Sequence, residues 1–204
     1  MIQLITENLE KRFGRKTVFS GLSIKTDTTV LGIAGMNGSG KSTLLRCLAG
    51  LMKPTTGSVK WMMNNKELER AGLKNSLGYA APYVQLYEEL TVRENLDFII
   101  KVRSLKDNVL KDVLQPLGAD KLTELHYGDL STGQQQRIKL AAAIIHDPEI
   151  LMLDEPGSNL DEAGKDVVKD LVEKFSSRNR MVLIASNQKE ELALCNEIIE
   201  LSKS

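Results

Sequence analysis

The chain has no net charge: its 27 lysines and arginines are balanced by 27 aspartates and glutamates. Such a balance gives no electrostatic pull toward nucleic acid or anionic lipid. The densest basic stretch, EKRFGRK at residues 10–16, is short and reads as a solvated turn. Cysteine is nearly absent. Cys47 and Cys195 stand alone, with no CxxC and no His/Cys cluster around them, which excludes a disulfide framework and a zinc site and suits two buried thiols in a reducing compartment. The N-terminus, MIQLITENLEKRF, carries acidic residues where a signal peptide needs an apolar core, and no run approaches the ~18 apolar residues of a membrane span. Internal repeats and low-complexity segments are missing too. The two histidines, His126 and His146, read as a loop residue and as a residue closing a helix before Asp147–Pro148.

What remains is a chain of 204 residues, enough for one sizeable core, in which strand and helix patterns alternate in three blocks. In the first block MIQLITENL, TVFSGLSIKT and GSVKWMM read as short strands, and TVLGIAG as an apolar strand running into a Gly-rich loop. KSTLLRCLAGLMKP follows as a helix closed by Gly50 and Pro54. Residues from about 88 to 146 carry helical spacing with few strand signals, in TVRENLDFIIKVRSL, KDNVLKDVLQPLG and QQQRIKLAAAIIH. The last block returns to alternation: a strand in EILMLDEP, a helix in EAGKDVVKDLVEKFSS, a strand in RMVLIAS, a short helix in QKEELALC and a strand in EIIELS. Apolar strands alternating with helices predict an α/β fold with a parallel sheet covered on both faces.

Three stretches carry chemistry. GMNGSGKST, from Gly35 to Thr43, fits G-x-x-x-x-G-K-[ST] between a predicted strand and a predicted helix. Gly35, Gly38 and Gly40 permit a tight curl whose N–H groups, those of Asn37 and Ser39 among them, turn inward, and the helix N-terminus adds its own donors and positive dipole end. A triphosphate suits this cradle, with Lys41 reaching the β and γ oxygens and Ser42 ligating Mg²⁺. In ILMLDEPGSNLD an apolar strand ends on Asp154, placed to hold Mg²⁺ through its water shell, and Glu155, placed to polarise a water for in-line attack on the γ-phosphate. In LSTGQQQRIKLAAAII, Ser131 and Gln134 form the S-x-x-Q capping box of a helix whose N-terminus is a second anion site.

The order of these motifs, a phosphate loop, a helical insertion, LSTGQ, LDEP and SNLD, resembles the ATP-binding subunit of ABC transporters over essentially the whole chain. That resemblance implies a P-loop NTPase fold of the ABC ATPase type: a mostly parallel RecA-like sheet, an N-terminal antiparallel β subdomain and a helical subdomain inserted at approximately 86–147, in one domain spanning 1–204. It implies ATP and Mg²⁺, and a head-to-tail dimer in which the signature of one subunit (Leu130, Ser131, Thr132, Gly133, Gln134) closes over ATP held by the other. It also implies that Phe13 stacks on adenine and that Ser158, Asn159, Leu160 and Asp161 form the loop coupling the two sites. Separate permease subunits in the membrane are the expected partners, with the chain cytoplasmic at the inner face of the membrane and no role for nucleic acid. The 204-residue length, without an appended regulatory domain, agrees with a minimal transport subunit.

Three positions depart from the family pattern. Thr132 replaces a commoner glycine in the signature. The loop glutamine that touches Mg²⁺ normally lies three residues after the tyrosine of a GY pair; here that position is Pro82, and Gln85 is the nearest glutamine. Asn187 stands where the family carries a switch histidine; asparagine donates through its amide but does not change charge near neutral pH. With Glu155 retained, the sequence predicts a slow ATPase. The alternatives are an ATP-clamping, hydrolysis-poor half of a heterodimer and a non-transport ABC ATPase.

Overall fold

The computed structural model describes residues 1–105 and 109–202. The chain opens with an antiparallel sheet. In it β1 (Ile2–Phe13) lies between β2 (Lys16–Thr26) and β4 (Thr56–Met63), and β4 pairs with the two-residue β5 (Lys66–Glu67). Alternate residues of β1, Ile2, Leu4 and Thr6, are buried while those between are half exposed, the period-2 pattern of a strand with one covered face.

The second sheet holds five strands in the order β6 (Leu77–Ala80), β7 (Ile150–Asp154), β8 (Met181–Ser186), β3 (Val30–Ala34) and β9 (Glu197–Glu200), every neighbouring pair parallel. Every residue of β3, β7 and β8 is buried, as in a parallel sheet sandwiched by helices. Side-chain alternation divides these strands between two cores. Leu31, Ile33, Ile150, Met152, Leu183 and Ala185 pack with the helix α1 (Lys41–Leu48) and with Leu4, Ile24 and Trp61 of the antiparallel sheet. Leu151, Leu153, Val182 and Ile184 face the helices α3 (Val92–Val102), α5 (Thr132–Ile144) and α6 (Glu162–Ser176). Trp61 Nε1 donates to Leu48 O at 2.8 Å, which fastens the antiparallel sheet to the end of α1.

The helices start where their caps direct. Thr91 and Glu94 form a capping box on α3, Ser131 and Gln134 form the expected one on α5, and Asp161 caps α6 by accepting from Gly164 N at 2.9 Å. The helical block contains α4 (Val109–Leu114), while residues 106–108 of the expected KDNVLKDVLQPLG helix lie outside the described residues. Among the elements not expected are β5, the short helix α2 (Arg70–Ser76) and β6. Strand β6 is four residues with no alternation, and it forms because Gly78 admits α5. A Cβ there would lie 2.2 Å from Ala143 O. The QKEELALC helix shortens to α7 (Lys189–Leu192). Of the two cysteines, Cys47 is buried and Cys195 half-buried.

Helix α5 carries a row of buried and half-buried polar side chains that bond back to the chain. Gln135 donates to Tyr127 O at 3.1 Å, Gln136 to Pro156 O at 3.0 Å, Arg137 to Leu117 O at 2.9 Å and Lys139 to Pro82 O at 2.8 Å. Each ties a different loop to one helix, and each satisfies a carbonyl that would otherwise cost ~1–3 kcal/mol if buried unpaired.

His146 lies just beyond α5, as expected, with Nε2 3.0 Å from Leu77 O at the start of β6. Burial, with Arg103 nearby, lowers its pKa to about 4. The unfolded chain therefore takes up this proton below pH ~6.5, whereas the folded chain resists it until about pH 4. His146 thus contributes stability that is present above the unfolded pKa and lost as pH falls through that window. Urea unfolding should show about 2 kcal/mol of such loss, since solvent reaches part of the ring, and His146→Gln should remove that component.

Candidate functional site: a phosphate loop beside a buried acidic strand end

Parallel register brings the motif residues together. Ala34 lies opposite Ser186 and Asp154 opposite Ala185, so the phosphate loop after β3, the acids at the end of β7 and Asn187 after β8 emerge side by side at the C-terminal edge of the sheet. In open α/β sheets this edge is where ligands bind. The loop 35–40 keeps its donors free: Ser39 N donates to Met36 O at 3.0 Å, but the N–H groups of Asn37, Gly38 and Gly40 have no partner among the described residues. Gly40 ends the curl at φ +104°, and a Cβ there would lie 2.4 Å from Val18 Cγ1, so the loop rests directly on the antiparallel sheet. Only glycine meets both demands.

Lys41 is 5% exposed, with its ammonium 2.8 Å from Gly35 O and 3.1 Å from Glu155 Oε1. Glu155 sits at φ +49°, in the left-handed region uncommon for a side-chain-bearing residue, and its N–H donates to Ala185 O at 2.8 Å. Asp154 is 1% exposed, and neither carboxylate oxygen finds a hydrogen-bond partner among the described residues. Burial raises its pKa, the Ser42 hydroxyl opposes that shift, and the charge of Glu155 adds to it. An orphaned buried carboxylate facing a serine hydroxyl fits a hard divalent cation with its water shell. No group of three or more His, Cys, Asp or Glu side chains that could hold a metal ion is present among the described residues.

Asn187 is exposed and donates from Nδ2 to Asn37 Oδ1 at 2.9 Å, tying the switch position to the phosphate loop across 150 residues of sequence. Pro82 occupies a turn closed by Val84 N donating to Ala81 O at 3.1 Å, and Lys139 holds its carbonyl. Gln85 is exposed, and no hydrogen bond joins it to Ser42 or Asp154 among the described residues. In its place the loop presents Tyr83, whose hydroxyl hydrogen-bonds that of Tyr79 while Arg46 lies 5.1 Å over its ring. Burial raises the pKa of both phenols, and the charge of Asp154 pushes in the same direction. Sequence reasoning passed over this pair, although the four-residue spacing around the GY dipeptide was visible.

The signature stands apart from the loop. Leu130 is buried, Ser131 and Thr132 are exposed at the N-terminus of α5, and no hydrogen bond or ion pair joins residues 130–134 to residues 35–43 among the described residues. Within the chain the signature abuts the 158–161 loop instead: a Cβ on Gly133 would lie 3.1 Å from Asn159 O. Phe13 is 52% exposed at the tip of the β1–β2 hairpin, with Lys11 Nζ 5.0 Å from its ring centre. His126 is a loop residue whose Nδ1 lies 3.0 Å from Glu89 O, outside this site.

A phosphate loop opening a helix beside a buried acidic strand end on a parallel sheet defines a P-loop nucleotide-binding protein. The sequence model of the ABC transporter family matches residues 21–158, and the chain belongs to that family, whose ATPase subunit it is. It is 32% identical over 206 residues to the uncharacterized ABC transporter ATP-binding protein YybJ of Bacillus subtilis, covering 99% of this chain and 93% of that one. It is also 32% identical over 190 residues to the bacitracin transport ATP-binding protein BcrA of Bacillus licheniformis, covering 92% of this chain but 62% of that protein's length. Among solved structures, a dimeric ATP-binding cassette in a post-hydrolysis state with ADP and Pi superposes with a TM-score of 0.85 at 22% identity, over 100% of this chain and 95% of that one, which shows the fold.

Gly40→Ala should weaken ATP binding at least about tenfold, because the left-handed backbone and the Val18 contact would both have to shift. Titration with a fluorescent ATP analogue checks this, and affinity within twofold of wild type would contradict the geometry.

Proposed function

We propose that this chain binds and hydrolyses ATP at composite sites shared by two copies arranged head to tail, and that closure of the dimer drives permease subunits in the membrane. The carrying observation is the convergence of Lys41, the orphaned Asp154 carboxylate and Glu155 on one sheet edge, while the signature faces elsewhere. One chain then supplies two half-sites. Residues 1–204 act as a single ATPase domain, with approximately 86–147 as its helical arm.

In this reading the free N–H groups of the loop receive the β-phosphate, Lys41 spans the β and γ oxygens, Ser42 and Asp154 hold Mg²⁺, and Phe13 lies against adenine. Mg²⁺ held there would neutralise charge developing on the phosphate oxygens. Glu155 polarises the attacking water, and Asn187, oriented by Asn37, keeps one amide hydrogen and its oxygen for the γ-phosphate and that water. Ser131, Thr132 and Gly133 at the start of α5 meet the partner's γ-phosphate, and Ser158–Asp161 carry its state back. Exposed apolar side chains support the permease contact: Tyr87 (57%), Phe98 (53%) and Val102 (69%) lie on the arm next to the loop after β6, with Tyr87 and Phe98 in edge-to-face contact at 6.1 Å. No helix among the described residues is long and apolar enough to cross a membrane; in this reading the chain works at the inner face of the membrane through that partner.

Phosphate release from the assembled complex tests the chemistry. Glu155→Gln should lower kcat by about 10² or more while ATP affinity stays within severalfold, the size expected for loss of a general base. Wild-type turnover equal to that of Glu155→Gln would instead identify an ATP-clamping partner of a heterodimer.

Asn187→His should raise turnover by up to ~10² if the asparagine merely slows water positioning, by analogy with restoring one transition-state donor. An unchanged or uncoupled enzyme would mean that the Asn37–Asn187 pair has replaced the switch. For the partner surface, Phe98→Glu should cut permease co-purification at least about tenfold with ATP affinity unchanged, as expected when a charge is placed in an apolar contact.

A further inference from the structure

Glu191 is a charged residue that the chemistry above does not use, yet it is 7% exposed. It lies on α7, four residues after Asn187, and its Oε1 accepts from Gly157 N at 2.6 Å, while Oε2 is buried without a hydrogen-bond partner among the described residues. The fit is close: a Cβ on Gly157 would lie 2.5 Å from Glu191 Oε1. The residue before, Pro156, is held from the opposite side by Gln136 of α5 at 3.0 Å, and Glu155 N is bonded to β8. The start of the 156–161 segment is therefore bracketed between the switch helix and the signature helix, and its far end touches Gly133 through Asn159 O.

We propose that Glu191 is a positioning residue that couples the switch to the signature: it accepts the Gly157 N–H bond and so ties the segment after Glu155 to α7, and through Pro156 and Gln136 to α5. Movement of Asn187 against the phosphate loop on nucleotide binding is then carried along α7 to Glu191 and, through the Gly157 and Pro156 hydrogen bonds, to α5 and the face that meets the second copy. The proposal rests on the head-to-tail reading above and assigns the intrachain route that this reading requires. The carboxylate is needed as an acceptor of correct reach, so glutamine should replace it and leucine should not.

The test uses the full chain with ATP and Mg²⁺, in Glu191→Gln, Glu191→Leu and Gly157→Ala, the last displacing the carboxylate without altering it. Phosphate release gives kcat and KM, and sedimentation in a Glu155→Gln background gives ATP-driven dimerisation. Glu191→Leu and Gly157→Ala should each lower kcat at least about tenfold and shift dimerisation to about tenfold higher protein concentration, with KM for ATP within about twofold and folding by circular dichroism retained. Glu191→Gln should recover most of both. Wild-type kcat in Glu191→Leu, failure of glutamine to rescue, or parallel loss of ATP binding and fold would overturn the assignment. A wild-type chain that does not dimerise with ATP overturns the head-to-tail reading and the proposal with it. Equal dimerisation by wild type and Glu191→Leu overturns the role of Glu191 alone.

Discussion

The parallel pairing of β8 with β7 on one side and β3 on the other is the constraint on which the rest depends. Strand β8 is buried throughout, and its register sets where three separate loops leave the sheet. Because parallel strands all point the same way, the residue following each strand arrives at the same edge: Gly35 after β3, Glu155 after β7, Asn187 after β8. A one-residue slip of either ladder would turn alternate apolar side chains to the wrong core and at the same time move Lys41 away from Glu155. Stability and chemistry thus share the same hydrogen bonds.

The site itself is built from groups that the fold leaves incompletely satisfied. Among the described residues both oxygens of Asp154 are buried without hydrogen-bond partners, Glu155 adopts a left-handed backbone, and the loop N–H groups of Asn37, Gly38 and Gly40 have no partner. The buried carboxylate and the left-handed backbone each cost the isolated chain on the order of 1–3 kcal/mol, whereas the exposed loop donors are left to water. In the proposed reading a magnesium–triphosphate complex would answer these together, with anions for the donors and a cation for the acid. The polar side chains of α5 bond to the carbonyls of four loops, so the helix that begins with the signature also holds the loops behind it in place.

Much of this was legible in the residues. The phosphate loop, the acidic strand end and the S-x-x-Q cap are local patterns whose chemistry depends on neighbours within a few positions, and all three formed where the spacing put them. The apolar runs of β3, β7 and β8 announced a sheet covered on both faces. Short elements were not legible, because β6 and α2 owe their existence to packing. Gly78 makes room for α5 and Leu73 is the only buried residue of α2, neither of which leaves a periodic trace. The burial of the polar run QQQR left no local trace either, since Gln135, Gln136 and Arg137 bond to carbonyls 8 to 20 residues away.

The two unusual positions divide the same way. Sequence alone showed that Pro82 and Asn187 depart from the family pattern, because that is a matter of residue identity. Only the tertiary structure decided what stands beside them: Asn37 bonds to Asn187, Tyr83 pairs with Tyr79 near Asp154, and Gln85 turns to solvent. By itself the sequence determined the covalent inventory and the local geometry of each motif, since helix caps, glycine curls and apolar alternation act over a few residues. Which motifs meet was settled by strand order, because β3 and β8 are neighbours in space though about 150 residues apart in the chain, and only long-range pairing can bring them together.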